Sequence, residues 1–217
     1  MLLAIDTATD RASVALGRTM QEALEEHLDG TRRHAAALLP MIARLLGRAE
    51  LGLDAVRGIV LADGPGSFTG LRVGATVAKA LSLTRGLPLL AAPSLMGRAL
   101  GAAAGSAAAP VLVTSDALRG DAYAAVYRFT AQGVETLVAP GVRARATLSA
   151  LAPGAIEAHG QPAQASALIA LAALRGGAVP VADVAGWEPV YGRPAEAQAQ
   201  WERTHGRPLS GAAGLAG

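Results

Sequence analysis

Asp63-Gly64-Pro65-Gly66-Ser67-Phe68-Thr69-Gly70-Leu71-Arg72-Val73-Gly74 is the stretch on which the reading of this chain turns. It joins an apolar run at residues 56–62, with the length and flanks of a buried strand, to a helical pattern over 70–85. Strand, glycine-rich loop and helix is an arrangement that can hold a phosphate, because glycines let backbone amides approach an anion and the helix adds its positive end. The loop lacks the usual fingerprints, however. Leu71 stands where a Walker loop needs Lys after its last glycine, and Thr69 occupies a glycine position of the dinucleotide pattern. The competing reading is a structural turn capped by Ser67 or Thr69. In the helix that follows, Gly70, Gly74, Ala78 and Ser82 recur every four residues and line one face with small side chains. Glycine in a helix costs roughly 1 kcal/mol relative to alanine, so this face predicts close approach by another backbone, within the fold or across an interface.

Working outward, residues 2–6 and 12–17 read as strands around the turn Thr7 to Asp10, with a weaker strand over 23–27. A helix is expected from about residue 34 to 47. Leu38, Ile42 and Leu45 form its apolar stripe and Pro40 sets its start or a bend. A strand at 87–91 and a helix at 94–104 follow, then an Ala/Gly/Ser stretch at 101–110 that suits a domain boundary. Beyond it come paired strands at 111–115 and 122–129, a third over 134–139, and helices near 147–151 and 163–174. The expected division is 1–104, 105–193 and a polar, Gly/Ala-ending tail at 194–217 without stable order. Both halves place strands before helices, an α/β pattern of two lobes.

Composition narrows the function classes. The 217 residues are 52% hydrophobic but only 3% aromatic, and the net charge is +2. One lysine, Lys79, accompanies scattered arginines with no run longer than Arg32-Arg33, so the basic stripe of an autonomous RNA binder is absent. With no cysteine there is no disulfide, thiol nucleophile or Cys-based zinc site. Residues 1–6 do not resemble a signal peptide. Pro88, Pro93, Arg98 and Pro110 interrupt the most apolar long window, so no membrane span is expected and the expected setting is cytoplasmic.

The run Gly64 to Gly74 is similar to the signature of the TsaB (YeaZ) family. Supporting blocks agree in order and spacing: Leu3 to Thr9, Arg33-His34 with Leu39-Pro40-Met41, Pro93 to Met96, Asp116-Ala117 with Gly120 and Tyr123, and Glu188 to Tyr191 with Arg193. The resemblance implies an α/β, actin/hexokinase-like fold of two ribonuclease-H-like lobes, with mixed sheets flanked by helices. It also implies a scaffolding subunit that dimerises with TsaD, the paralogue that transfers threonylcarbamoyl to an adenosine of tRNA. A TsaE-like ATPase joins that pair, and tRNA is met only through the complex. The partner face would be the helices at 34–47 and 70–85, with Leu38, Ile42, Leu45, Gly70, Gly74, Ala78 and Ser82 as its contacts. Such a face can also accept a second copy of the chain, so a homodimer in isolation is a further expectation.

The resemblance argues against catalysis by this chain. TsaD-like proteins carry two His four apart on a helix; here Ser94 and Arg98 stand at those positions. No catalytic residue, metal or cofactor is expected. His27, His159 and His205 read as solvated surface, and Gly176-Gly177-Ala178 as the end of a helix. Asp6, in the place of a phosphate-side carboxylate, can equally cap the turn after it. The alternative is a small-molecule kinase or ATPase of the same superfamily, for which Asp6, the Gly64–Gly70 loop and Asp116 are the available groups. A metallopeptidase lacks its paired His ligands.

Overall fold

Alternation along the N-terminal strands sets the architecture. In β1 (Leu2–Asp6), Leu3 and Ile5 point to one face and Ala4 to the other; β2 (Arg11–Gly17) repeats this with Val14, Leu16 and Ala15. In β4 (Gly58–Ala62), Ile59 and Leu61 oppose Val60 and Ala62. Large residues therefore fill one face of the sheet and mostly small ones the other, which lets a helix pack closely there. The computed structural model describes residues 1–30, 33–103, 108–117, 120–192 and 204–206.

The first sheet runs β10-β5-β4-β1-β2-β3, with β3 at Leu24–Asp29, β5 at Leu89–Ala92 and β10 at Val179–Pro180. β1, β2 and β3 are antiparallel neighbours, whereas β4 and β5 run parallel to β1. The second sheet runs β8-β7-β6-β9, built from β6 (Pro110–Asp116), β7 (Asp121–Thr130), β8 (Gly133–Ala144) and β9 (Ile156–His159). It repeats the order of the first sheet, three antiparallel strands and then a parallel one. Two mixed sheets flanked by helices is the fold that the resemblance implies.

Five layers result. Helices α1 (His34–Arg48) and α2 (Phe68–Arg85) cover the large-residue face of the first sheet through Leu38, Met41, Ile42, Leu45, Ala75 and Ala78. Helices α3 (Ser94–Ala102) and α5 (Ala165–Ala173) lie between the sheets. There Leu95, Met96, Leu168 and Ile169 share one core with Val60, Val113 and Tyr127. Among the described residues, the outer face of the second sheet is covered by the short α4 (Leu148–Leu151) over Leu112, Ala124 and Val126. Pro40 sits inside α1 on its exposed side.

Two ties hold the halves together. No side chain of α5 itself caps its first turn; instead Ser13 accepts a hydrogen bond from the Ala165 amide at 3.0 Å. Glu25 of β3 accepts from the hydroxyls of Ser13 (2.6 Å) and Ser166 (2.5 Å). A carboxylate at a helix start is favourably placed against the orphan amides and the dipole. Second, the chain beyond α5 returns to the first sheet: β10 pairs with β5, and Lys79 donates to the carbonyls of Ala185 and Trp187 at 2.8 Å each. Residues 179–192, expected with the second lobe, thus pack on the first. The short strands β9 and β10 were not foreseen, and β8 runs well past the expected 134–139. Residues 104–107 of the boundary stretch and all of the tail but 204–206 fall outside the described residues.

Candidate functional site

The loop between β4 and α2 is held by protein contacts throughout. The Gly64 amide donates to the Ser94 hydroxyl (2.9 Å), and the Ser94 amide donates back to the Gly64 carbonyl (2.7 Å). The Ser67 amide reaches the Ala8 carbonyl at 2.8 Å, and the Ser67 hydroxyl accepts from the Gly70 amide as the N-cap of α2. The amides of Gly64, Ser67 and Gly70 that could cradle a phosphate are therefore spent on the fold, as in the structural-turn reading. The C-terminal segment closes the loop from outside. Val190 donates its amide to the Asp63 carbonyl (2.7 Å), and the Tyr191 ring lies 4.6 Å from that of Phe68. The Arg72 guanidinium sits 4.5 Å from the Phe68 ring centre and 5.8 Å from that of Tyr191, whose hydroxyl donates to Glu188.

The small-residue face of α2 packs inward. A Cβ on Gly70 would overlap the Thr7 carbonyl, and one on Gly74 the Thr7 hydroxyl; that hydroxyl donates to the Gly70 carbonyl at 2.7 Å. Ala78 is buried and Ser82 donates to the Leu87 carbonyl at 2.6 Å. Leu38, Ile42 and Leu45 are likewise buried in the core beneath α1. All seven side chains expected at a partner face point into the chain's own interior. The physical reason is that an amphipathic helix spends its apolar stripe on the nearest sheet first. What α1 turns outward instead is Ala35, Ala36, Leu39, Pro40 and Ala43, while α2 turns out Thr76, Ala80 and Leu83. Leu39 is 55% exposed and Leu83 58%. Helical spacing puts Leu39, with Leu46, at the widened edge of the α1 stripe, and it is this edge that turns out at Leu39; no periodicity argument singles out Leu83.

Between the sheets lies a charged seam. Asp6 accepts from the Ala8 amide (2.9 Å), the turn-capping role, and burial pushes its carboxyl up while the Arg98 guanidinium pulls it back. Arg98 is 2% exposed, and among the described residues none of its three nitrogens nor the Tyr127 hydroxyl has a hydrogen-bonding partner. Asp63 is half-buried, and loss of water around its carboxyl raises it to about 7. Among the described residues no group of three or more His, Asp or Glu could hold a metal ion, and no helix is long and apolar enough to cross a membrane. Gly177 and Ala178 close the end of α5 on Leu174 and Leu171, the helix-end reading. His159 lies on the surface as expected, its side chain 53% exposed, and is hydrogen-bonded to Thr114 and Glu157.

Comparisons with known proteins agree with this architecture. The model of the family described as "TsaD: tRNA N6-adenosine threonylcarbamoyltransferase" matches residues 20–174. The tRNA threonylcarbamoyladenosine biosynthesis protein TsaB of Escherichia coli is 36% identical over 134 residues, 61% of this chain and 57% of that protein. The chain spans about half the length of the curated TsaB relatives it matches, 57%, 51% and 55% for the three from E. coli, Haemophilus influenzae and Bacillus subtilis. An uncharacterised protein of Mycobacterium tuberculosis is 35% identical, with 78% of this chain and 76% of that one covered. Two structures from Pseudomonas aeruginosa share the fold. YeaZ has a TM-score of 0.68 at 27% identity, covering 79% of this chain and 90% of its own. An uncharacterised protein described as similar to peptidase YeaZ scores 0.74 at 28% identity, covering 88% and 99%.

Proposed function

We propose, for a chain that belongs to the family described as TsaD: tRNA N6-adenosine threonylcarbamoyltransferase and, within that likeness, to the TsaB (YeaZ) proteins, that it is a scaffolding and activating subunit and not the transferase. Its partner is a TsaD-like paralogue, a TsaE-like ATPase joins the pair, and tRNA is reached only through the complex, in the cytoplasm. The observation that carries this reading is the outward face of α1 and α2. Two leucines, each more than half exposed, stand on the outward sides of these helices, Leu39 with exposed Ala and Pro side chains on α1 and Leu83 with exposed Thr and Ala side chains on α2. Large apolar side chains ringed by polar ones suit a protein–protein interface.

The partner contacts are accordingly assigned to Leu39, Ala43, Ala80 and Leu83. Leu38, Ile42, Leu45, Gly70, Gly74, Ala78 and Ser82 act from beneath, fixing the two helices on the sheet. The non-catalytic role is supported by where the candidate groups are spent. Asp6 caps a turn, Ser94 and Gly64 bind each other, and Arg98 lies buried between the sheets. The lobes 1–104 and 105–193 divide the work: the first presents the face, and the second buttresses it through α5.

The test is threonylcarbamoyladenosine synthesis in a reconstituted mixture of tRNA, TsaD, TsaE and the adenylate-forming enzyme, with and without this chain. Modification that depends on the chain is the expected result. Equal modification without it would overturn the reading.

A further inference from the structure

The second sheet carries a hydrogen-bonded relay on its outer face. Alternation in β6 sends Val111 and Val113 inward to the shared core, and Leu112, Thr114 and Asp116 outward. In β9, Ala158 faces inward and Glu157 and His159 outward. The parallel register sets Thr114 directly beside His159. The Thr114 hydroxyl lies 2.8 Å from His159 Nδ1, and His159 Nε2 lies 2.8 Å from a Glu157 carboxylate oxygen. An ionised carboxylate only accepts, so Nε2 carries the imidazole proton. In the neutral form of the ring, Nδ1 offers its lone pair to the threonine, whose hydroxyl donates. Because α4 covers so little of this face, the relay opens into a pocket of about 540 Å³ that Arg145 and Leu148 also line. Arg145 is held at 3.0 Å by Asp116 on the same wall.

We propose that this pocket is a catalytic site for the hydrolysis of small carboxylic esters, with Thr114 as nucleophile, His159 as general base, Glu157 orienting the imidazole and Arg145 facing the developing oxyanion. Hydroxyl, imidazole and carboxylate in line is the arrangement that activates an otherwise weak nucleophile. Thr114 Oγ1 attacks the ester carbonyl carbon while its proton passes to His159 Nδ1, and the carbonyl pair moves onto oxygen beside the Arg145 guanidinium. Collapse breaks the bond to the alcohol oxygen, which leaves with the proton from Nδ1, so the acyl group stays on Thr114. Water then attacks that acyl carbon with His159 again taking the proton. The products are the carboxylic acid and the free hydroxyl of Thr114. Thr114 is only 4% exposed, which limits the acyl group to one small enough to reach the pocket floor. The site lies on the second sheet, whereas α1 and α2 cover the first, so this activity is separable from the partner role.

The probe is p-nitrophenyl acetate, hydrolysed by the intact purified chain at neutral pH and followed by nitrophenolate release. The expected result is release above buffer that Thr114→Ser retains. Thr114→Val and His159→Ala should lose it by roughly 100-fold, the scale of general-base assistance, and Glu157→Gln should lose it in part. Quenched mixtures should carry the acetyl group on Thr114 by peptide mass spectrometry. Wild-type release equal to that of Thr114→Val, with both proteins folded by thermal melt, would overturn the proposal. So would acetyl found at Lys79 or the N-terminus and not at Thr114.

Discussion

Asp63 shows how one residue can hold two jobs. Its backbone closes the signature loop, accepting from Val190 and donating to Ala92, while its half-buried carboxyl is near enough to Tyr127 to act on it electrostatically. There the neutral form is favoured and the group titrates near 7, against 3.8 in an unfolded chain. Between those values the folded state holds a proton that the unfolded state has released. Stability therefore falls as pH rises from about 4 to 7 and levels off above. Each unit of displacement is worth roughly 1.4 kcal/mol. Asp63→Asn keeps the shape without the charge, so it should stabilise the protein by a few kcal/mol at pH 8 and by little at pH 4.5. Urea midpoints of both proteins at the two pH values measure this; an equal difference at both would contradict the assignment. Nothing in the sequence announces this residue, since the apolar run before Asp63 does not say that the loop turns its carboxyl inward. Asp6 was legible, because a turn directly after a buried strand commonly takes an Asp cap.

At the scale of elements, the seven residues that helical spacing picks out, and that the resemblance assigns to a partner face, are buried against the chain's own sheet. Their assignment to a partner was the step that spacing could not support. A stripe at i, i+4 says that something packs there, and the sheet is the nearest candidate. Gly74 makes the distinction measurable. Leucine at this position would meet Thr7, Leu61 and Ile5 within the chain. Gly74→Leu should therefore lower stability by about 3 kcal/mol or more, at the upper end of overpacking effects, in the isolated protein with no partner present. An unaltered melting temperature would mean that this face is not internal. The main helices and most strands were legible from period and punctuation. The strands β9 and β10 were not, being four and two residues long, and their pairing depends on neighbours distant in sequence. The Thr114–His159–Glu157 relay stayed hidden for the same reason, as it spans β6 and β9.

For the whole molecule, the two sheets repeat one strand order around a shared middle layer of α3 and α5, a symmetry that no sequence repeat betrays. That middle layer, with the Asp6–Arg98 seam, fills the space between the lobes with protein side chains. Among the described residues, Leu39 of α1 and Leu83 of α2 are large apolar side chains turned to the outside. The central claim is that this face, and not the interior glycine stripe, binds a TsaD-like partner. Isothermal titration of the partner into wild-type chain and into Leu39→Glu/Leu83→Glu tests it most directly, since neither side chain is needed for the core and the variant should melt like wild type. Placing two charges at the centre of an apolar interface should weaken Kd by at least about 100-fold, or roughly 2.7 kcal/mol. Binding of undiminished affinity by the folded double variant would contradict the account.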